Sequence, residues 1–313
     1  AYPLVGNYGV NGEDAESSRI WAFGYIVREA CETPSNFRCK KTLDAFLKEQ
    51  NIIGLEGIDT RRLVRVLREA GVMNGALTTE YETAEAALAD EKLMESIRSY
   101  AVTEAVKSVT TGEPEVFNED GSYRVALFDF GCKRNIVRCL VKRGCRVAVV
   151  PAETTADQLK DMDLDGIMLS NGPGDPAENV QIIENLRDIA KMGLPIFGIC
   201  LGHQLMALAQ GAKTEKLKYG HRGVNQPVTD LAHGRTYITS QNHGYAVVGD
   251  SVDASVAEIS AVNANDNTVE GLRYKNFDCF TVQFHPEACG GPRDTEYLFD
   301  EFIAMMAKRK GEA

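Results

Sequence analysis

The chain reads as an α/β protein. Its C-terminal part is expected to be a doubly wound, mostly parallel sheet with flanking helices, preceded by a smaller mixed α/β N-terminal domain. Three observations predict this. Short, continuously apolar runs alternate with helical patterns from residue 125 onward, the signature of parallel strands covered on both faces. A polar, turn-rich stretch around Thr110-Thr111-Gly112-Glu113-Pro114 and Asn118-Glu119-Asp120-Gly121 divides this region from what precedes it. One apolar run, 194–199, ends in Gly198-Ile199-Cys200-Leu201-Gly202, a strand turning sharply into a helix. The expected boundaries are an N-terminal domain over 1–112, a linker over 113–122 and a C-terminal domain over 123–313.

In the first domain, 20–27 is strand-like and two amphipathic helices follow. The helix after Asp59-Thr60 places Leu63, Val66, Leu67 and Ala70 on one face and stops at Gly71. Its arginines, Arg61, Arg62, Arg65 and Arg68, read as a solvated face, with a partner surface as the alternative. In the second domain the strand–helix units are 125–130 with 134–142, 145–150 with 156–162, 166–169 with 178–190, and 194–199 with the helix that Cys200 opens. Strand signals dominate from Val224: 236–239, 269–274 and 279–284. Sites on such sheets gather at strand carboxyl ends, which is where Cys200, the loop after Leu169 and the residues after Phe284 fall.

Bulk properties limit the partners. Acidic residues outnumber basic ones, 45 to 34, for a net charge of -11. That balance disfavours nucleic acid or an anionic membrane, because phosphate binding needs clustered cations. No apolar run is long enough to cross a bilayer. No basic stretch leads into an apolar run at the start, so a cytoplasmic chain with reduced thiols is expected. Ala1-Tyr2-Pro3 is not an initiation sequence, and residues upstream are expected. No two of the eight cysteines are separated by only two residues, which argues against a zinc ribbon or a thioredoxin-type pair. Cys200 and His203 share helix-like spacing, but without a second ligand pair no metal site is expected.

The chemistry centres on Cys200. The tight turn needs small neighbours and sets the sulfur at the positive end of a helix, which favours thiolate. A buried core cysteine between packing glycines is the plainer alternative. A thiolate nucleophile needs a base and a group to orient it. His285 ends an apolar strand, and in His285-Pro286-Glu287 the proline holds a carboxylate near the same ring. His243 is a rival base; His203, too close along the helix, is expected to pack. The loop Ser170-Asn171-Gly172-Pro173-Gly174-Asp175-Pro176-Ala177 formally fits a dinucleotide fingerprint. Pro173 and Pro176 lack the amides a pyrophosphate uses, and the loop follows the third strand, so that reading is rejected. Gly172 or Gly174 can instead offer an amide which, with that of Leu201, forms an oxyanion hole; a rigid turn is the alternative. No phosphate loop of the ATP-binding kind is present.

Gly198-Ile-Cys-Leu-Gly-His-Gln204 together with His285-Pro-Glu287 resembles the class I (triad) glutamine amidotransferases. More narrowly, Leu169-Ser-Asn-Gly-Pro-Gly-Asp-Pro176, Asp129-Phe-Gly131 leading to Lys133-Arg-Asn135, Gln241-Asn-His-Gly244 and Ile58-Asp-Thr-Arg-Arg62 look like the small-subunit family of carbamoyl-phosphate synthase. The resemblance implies a Cys200–His285–Glu287 triad that hydrolyses glutamine through a γ-glutamyl thioester. It implies a substrate pocket made by Gly172, Gly174, Leu201, Gln204, Asn242, Gly244 and Tyr245. Ammonia would pass to a large partner subunit making carbamoyl phosphate for arginine and pyrimidine synthesis. That subunit would hold ATP and magnesium, so no cofactor is expected in this chain, and the first domain would contact it. Family members carry several dozen residues before the point matching Ala1, including a serine that contacts glutamine; weak glutamine binding by these 313 residues alone is the consequence. Tyr245 stands where some relatives have phenylalanine. The competing functions are a free-standing γ-glutamyl cysteine hydrolase and a non-catalytic interaction subunit.

Overall fold

The computed structural model describes residues 3–312; Ala1, Tyr2 and Ala313, which the expected domain boundaries include, lie outside it. The chain divides into two units, Ala1–Ala101 and Val102–Ala313.

The first unit holds two small parallel strand pairs and four helices. Strand β1 (Leu4–Val5) pairs with β3 (Glu29–Ala30), and β2 (Gly24–Ile26) with β4 (Ile53–Leu55). The helices are α1 (Leu43–Glu49), α2 (Thr60–Ala70), α3 (Ala84–Ala89) and α4 (Glu91–Ser99). Helix α2 starts and stops where its sequence demands: the Asp59 carboxylate accepts from Arg62 N at 3.0 Å, and Gly71 follows its last turn at φ 85°. Its apolar stripe is only half covered. Leu63 and Leu67 are half-buried, whereas Val66 and Ala70 are exposed, as are all four arginines.

The second unit is built on one ten-stranded sheet. Its strands are β5 (Glu115–Phe117), β6 (Tyr123–Asp129), β7 (Cys145–Pro151), β8 (Gly166–Leu169), β9 (Ile196–Ile199), β10 (Thr214–Asp230), β11 (Arg235–Val247), β12 (Ala257–Asn263), β13 (Val269–Tyr274) and β14 (Cys279–Val282). The spatial order is β11-β10-β12-β13-β14-β9-β8-β6-β7-β5. The five central strands, β14 to β7, are mutually parallel; β5 and the β10–β13 group are antiparallel extensions. The segment expected as a linker, 113–122, thus contributes a strand of the sheet, and β5 pairs with β7 from Glu115↔Val149 to Phe117↔Val147. The division between units falls earlier, at Ala101/Val102.

Helices α5 (Ala105–Val109), α6 (Arg134–Lys142), α7 (Ala156–Lys160), α8 (Val180–Ile189), α9 (Leu201–Ala209) and α10 (Tyr297–Lys310) complete the unit. Alternation along the strands splits the core in two. Ala126 and Phe128 of β6, with Ile167 and Leu169 of β8, face Leu159, Ile182, Leu186, Leu205 and Met206 of α7, α8 and α9. Val125, Leu127, Met168 and Phe197 face Ile136, Leu140, Phe299, Phe302 and Met306 of α6 and α10. Phe197 stacks on Phe280 at 4.4 Å between ring centroids and meets Phe299 edge-on at 5.5 Å. Each such pair is worth about 0.5–1.5 kcal/mol beyond its area. With helices on both faces, only the strand ends are open for a site.

Candidate active site

Strand β9 ends against α9 with no intervening loop, and Cys200 is the hinge. Its backbone sits at φ 53°, ψ -101°, a left-handed conformation costing about 1–3 kcal/mol for a side-chain-bearing residue. The surroundings hold it there: Cys200 N donates to Val282 O of β14 at 2.8 Å, and Gln204 N to Cys200 O at 3.2 Å. Both flanking glycines are required by space. A Cβ on Gly198 would lie 2.8 Å from Thr281 Cγ2, and one on Gly202 2.5 Å from Leu169 O. The sulfur-bearing residue is buried, at 4% exposure, and caps the N-terminus of α9.

Strand β14 delivers the base. His285 follows it, its N–H donating to Ser240 O of β11 at 2.9 Å, and its ring stands close enough to the Cys200 sulfur to interact with it. Nδ1 lies 2.7 Å from Glu287 Oε1, so Nε2 is the nitrogen left for the sulfur. Burial would push the His285 imidazole down; the Glu287 carboxylate and the Cys200 sulfur outweigh it and raise it to about 9. Glu287 is wholly buried, which by itself would raise its carboxyl, but His285 and the Lys133 ammonium hold it at about 2. Lys133 Nζ stands 3.2 Å from both Glu287 Oε1 and His285 Nδ1. The residues Cys200, His285 and Glu287, 87 positions apart end to end in sequence, therefore form one connected array.

The glycine loop stands beside it. A Cβ on Gly172 would overlap Phe130 O and lie 2.7 Å from Leu201 Cδ2, so this loop and the start of α9 approach as closely as backbone allows. Gly174 adopts φ 90°. The Leu201 amide belongs to the first turn of α9, where N–H groups have no partner within the helix. Gln204 is buried and donates to Tyr245 O at 2.7 Å and to Gln283 Oε1 at 2.8 Å. Burial, and after it the nearby Asp175 carboxylate of the glycine loop, raises the Tyr245 pKa. Asn242 is exposed and in register with Arg222, while Gly244 is half-buried, with Arg222 Nη2 3.4 Å from where its Cβ would be.

The rival histidines are otherwise engaged. His243 Nδ1 donates to Tyr245 O at 2.8 Å, and burial lowers its pKa to about 4. His203 is fully buried on Thr281 Oγ1 at 2.8 Å, and burial lowers it to about 3. Three contributors escaped sequence reasoning: Lys133, Asp175 and Gln283. Lys133 follows β6 at the same carboxyl edge of the sheet as Cys200, a position that could have marked it. A cleft of about 180 Å³ opens on the far side of Glu287, lined by Asn135, Arg138, Pro286, Cys289 and Arg293 among others; neither Cys200 nor His285 lines it.

Comparison with known proteins places the chain in a family. The family model for class-I glutamine amidotransferases matches residues 126–305, and that for the CPSase domain of the carbamoyl-phosphate synthase small chain matches 1–77. The chain is 50% identical to the carbamoyl phosphate synthase small chain of Bacillus cereus, over 99% of this chain and 84% of that one. Against the protein of the same description from Chlorobaculum tepidum the identity is 48%, again over 99% and 84%. Among solved structures, a Thermoplasma acidophilum protein assigned to GMP synthase superposes with a TM-score of 0.54 at 24% identity, covering 60% of this chain and 96% of that one. That likeness concerns the fold alone.

Proposed function

Because the chain belongs to the class I glutamine amidotransferase family, and within it to the carbamoyl phosphate synthase small chains, we propose that Cys200, His285 and Glu287 carry out its glutamine hydrolysis as a catalytic triad. The observation that carries this reading is the contact chain from the Cys200 sulfur through the His285 ring to Glu287.

His285 takes the thiol proton, and the sulfur attacks the side-chain amide carbon of glutamine. The carbonyl oxygen gains the electron pair and is met by the Leu201 amide and an amide of the Gly172–Gly174 loop. On collapse, the C–N bond breaks, His285 gives its proton to the departing nitrogen, and ammonia leaves a γ-glutamyl thioester on Cys200. His285 then draws a proton from water, whose oxygen displaces the sulfur to give glutamate. Glu287, kept ionised with the help of Lys133, holds the imidazole in place and steadies its positive charge. Gln204, Asn242, Gly244 and Tyr245 complete the pocket. The steps need no cofactor in this chain. ATP and magnesium belong to a large partner subunit that receives the ammonia and makes carbamoyl phosphate, for arginine and pyrimidine synthesis, in the cytoplasm. Among the described residues no helix is long and apolar enough to cross a membrane.

The test is ammonia release from glutamine by Cys200→Ser. A loss of at least about 10⁴-fold, with an unchanged far-ultraviolet spectrum, is expected. Undiminished release would refute the assignment.

A further inference from the structure

We infer that the second unit carries a divalent metal site of the zinc class, behind the strand that supplies Tyr245, with His221, His243, Glu270 and Gln241 as its ligands. Sequence spacing, by contrast, offers only Cys200 and His203 as a ligand pair. The site is independent of the triad assignment.

Side-chain donors of His221, His243 and Glu270 lie within 4.8 Å of one another, and all three residues are buried. Two of their atoms have no hydrogen-bond partner: His221 Nδ1 and Glu270 Oε2, the latter on a residue with no exposure at all. His221 Nδ1 is 3.4 Å from Glu270 Oε1. Two ligands at 2.0–2.2 Å from a tetrahedral ion stand about 3.4 Å apart, so the Glu270 carboxylate group as a whole stands at a distance from His221 Nδ1 that suits one.

The remaining bonds are those that metal-bound histidines use. His221 Nε2 meets the Asp266 carboxylate at 2.8 Å, which directs Nδ1 inward. His243 Nδ1 gives its proton to Tyr245 O at 2.8 Å, which directs the Nε2 lone pair inward. A carboxylate and a backbone carbonyl are the usual outer partners of ligating imidazoles, and they fix both tautomer and ring orientation. Asn263 Nδ2 holds Glu270 Oε1 at 3.1 Å, leaving Oε2 free.

Gln241 adds an anomaly that a cation resolves. Its Nε2 donates to Thr239 Oγ1 at 3.1 Å, and its Oε1 faces His243 Nε2 at 3.0 Å. With the imidazole proton on Nδ1, that contact sets acceptor against acceptor. An ion accepting both lone pairs turns it into two ligand bonds. Two imidazoles, one carboxylate and one amide oxygen suit zinc and its first-row neighbours, not calcium or magnesium.

The site would act on the fold. It joins β10, β11 and β13, and β13 pairs with neither of the other two. His221 lies where the β10–β11 register shifts, between Lys216 and His221 and again between Gly223 and Gln226. The ion would pin an irregular stretch that backbone pairing leaves loose, and through His243 it would hold the Tyr245 carbonyl that Gln204 uses.

The experiment is a titration of the chelator-treated 313-residue chain with cobalt chloride and, separately, zinc chloride. Expected are one equivalent bound, a tetrahedral cobalt spectrum without sulfur-to-metal charge transfer, and a rise in melting temperature with zinc. His221→Ala and the isosteric Glu270→Gln should each abolish the spectrum and the rise, and Asp266→Asn should weaken binding by roughly 10–100-fold. Failure to bind an equivalent of either metal would overturn the proposal, leaving the cluster as a buried ion pair. So would binding that survives both ligand substitutions, or a spectrum showing thiolate ligation by a cysteine.

Discussion

Lys133 Nζ lies 3.2 Å from Glu287 Oε1, a half-exposed ammonium resting on a carboxylate with no solvent access. The same oxygen receives His285 Nδ1 at 2.7 Å. The lysine therefore shares the task of keeping Glu287 ionised, which burial alone would oppose.

Replacing Lys133 with methionine keeps the stem and removes the charge. The Glu287 carboxyl should then rise from about 2 toward its ordinary range, because the Lys133 charge is one of the causes holding it down. Glutaminase kcat should fall on the order of tenfold, equivalent to about 1.4 kcal/mol, with its acid limb displaced to higher pH. A steady-state pH profile reads both; an unmoved acid limb would mean the lysine does not act through Glu287.

The two histidines near the sulfur should separate by alkylation. His285 contacts Cys200, whereas His243 spends Nδ1 on a backbone carbonyl and is held neutral by burial. Iodoacetamide should therefore label Cys200 much more slowly in His285→Ala and at close to the parent rate in His243→Ala. Peptide mass spectrometry over time gives the rates, and equal slowing in both would restore His243 as a candidate base.

Gly202→Ala should destabilise the second unit although alanine is the better helix former. Propensity favours the change by up to about 1 kcal/mol. The new Cβ, however, would stand 2.5 Å from Leu169 O and 2.6 Å from Leu169 Cβ, in the middle of a sheet that cannot retreat. Overpacking costs about 1–3 kcal/mol, so a net loss is expected in urea unfolding. A gain in stability would show that α9 can shift outward.

The buried pair sets opposite pH limits. Glu287 has a folded value of about 2 against an ordinary 4.5, so its contribution is complete above 4.5 and is lost as pH falls toward 2. His285, at about 9 against 6.5, contributes fully below 6.5 and loses that contribution as pH rises to about 9. Stability from the pair is therefore greatest between about 4.5 and 6.5. Hydrolysis should decline above about pH 9, where His285 no longer has a proton for the departing nitrogen. Urea midpoints across this range, compared with those of His285→Gln, measure it; parallel curves for the two proteins would contradict the linkage.

The parts of the site that sequence alone disclosed are those written in short contiguous runs at strand ends. Gly198-Ile-Cys-Leu-Gly202 contains its own turn geometry, and His285-Pro-Glu287 its own base and orienting group. The four parallel units were equally legible, because a strand buried on both faces is apolar throughout; 134–142 and 166–169 fall as the structure has them. Lys133 was not legible as a partner of Glu287, since only the packing of α6 against the turn after β14 brings them together. Of the long β10 and β11 only 236–239 was legible as strand; the rest is polar and half-exposed, so little in its periodicity separates it from loop. Helix α10 was not anticipated, although Leu298, Phe299, Phe302 and Met306 stand at helical spacing. Strand β5 reads as linker for a different reason: it is only three residues, Glu115-Val116-Phe117, set in a polar, turn-rich stretch, and its pairing depends on β7.

That outermost position bears on how the amidotransferase half can be isolated. The amidotransferase family model begins at Ala126, yet a fragment begun there would strip β7 of its antiparallel neighbour and leave a row of unanswered amides and carbonyls along an otherwise apolar border. Such a border is a template for chain-to-chain stacking, so the shortened fragment should come out of purification as soluble aggregate or inclusion bodies, while one begun at Val102 keeps the border sealed.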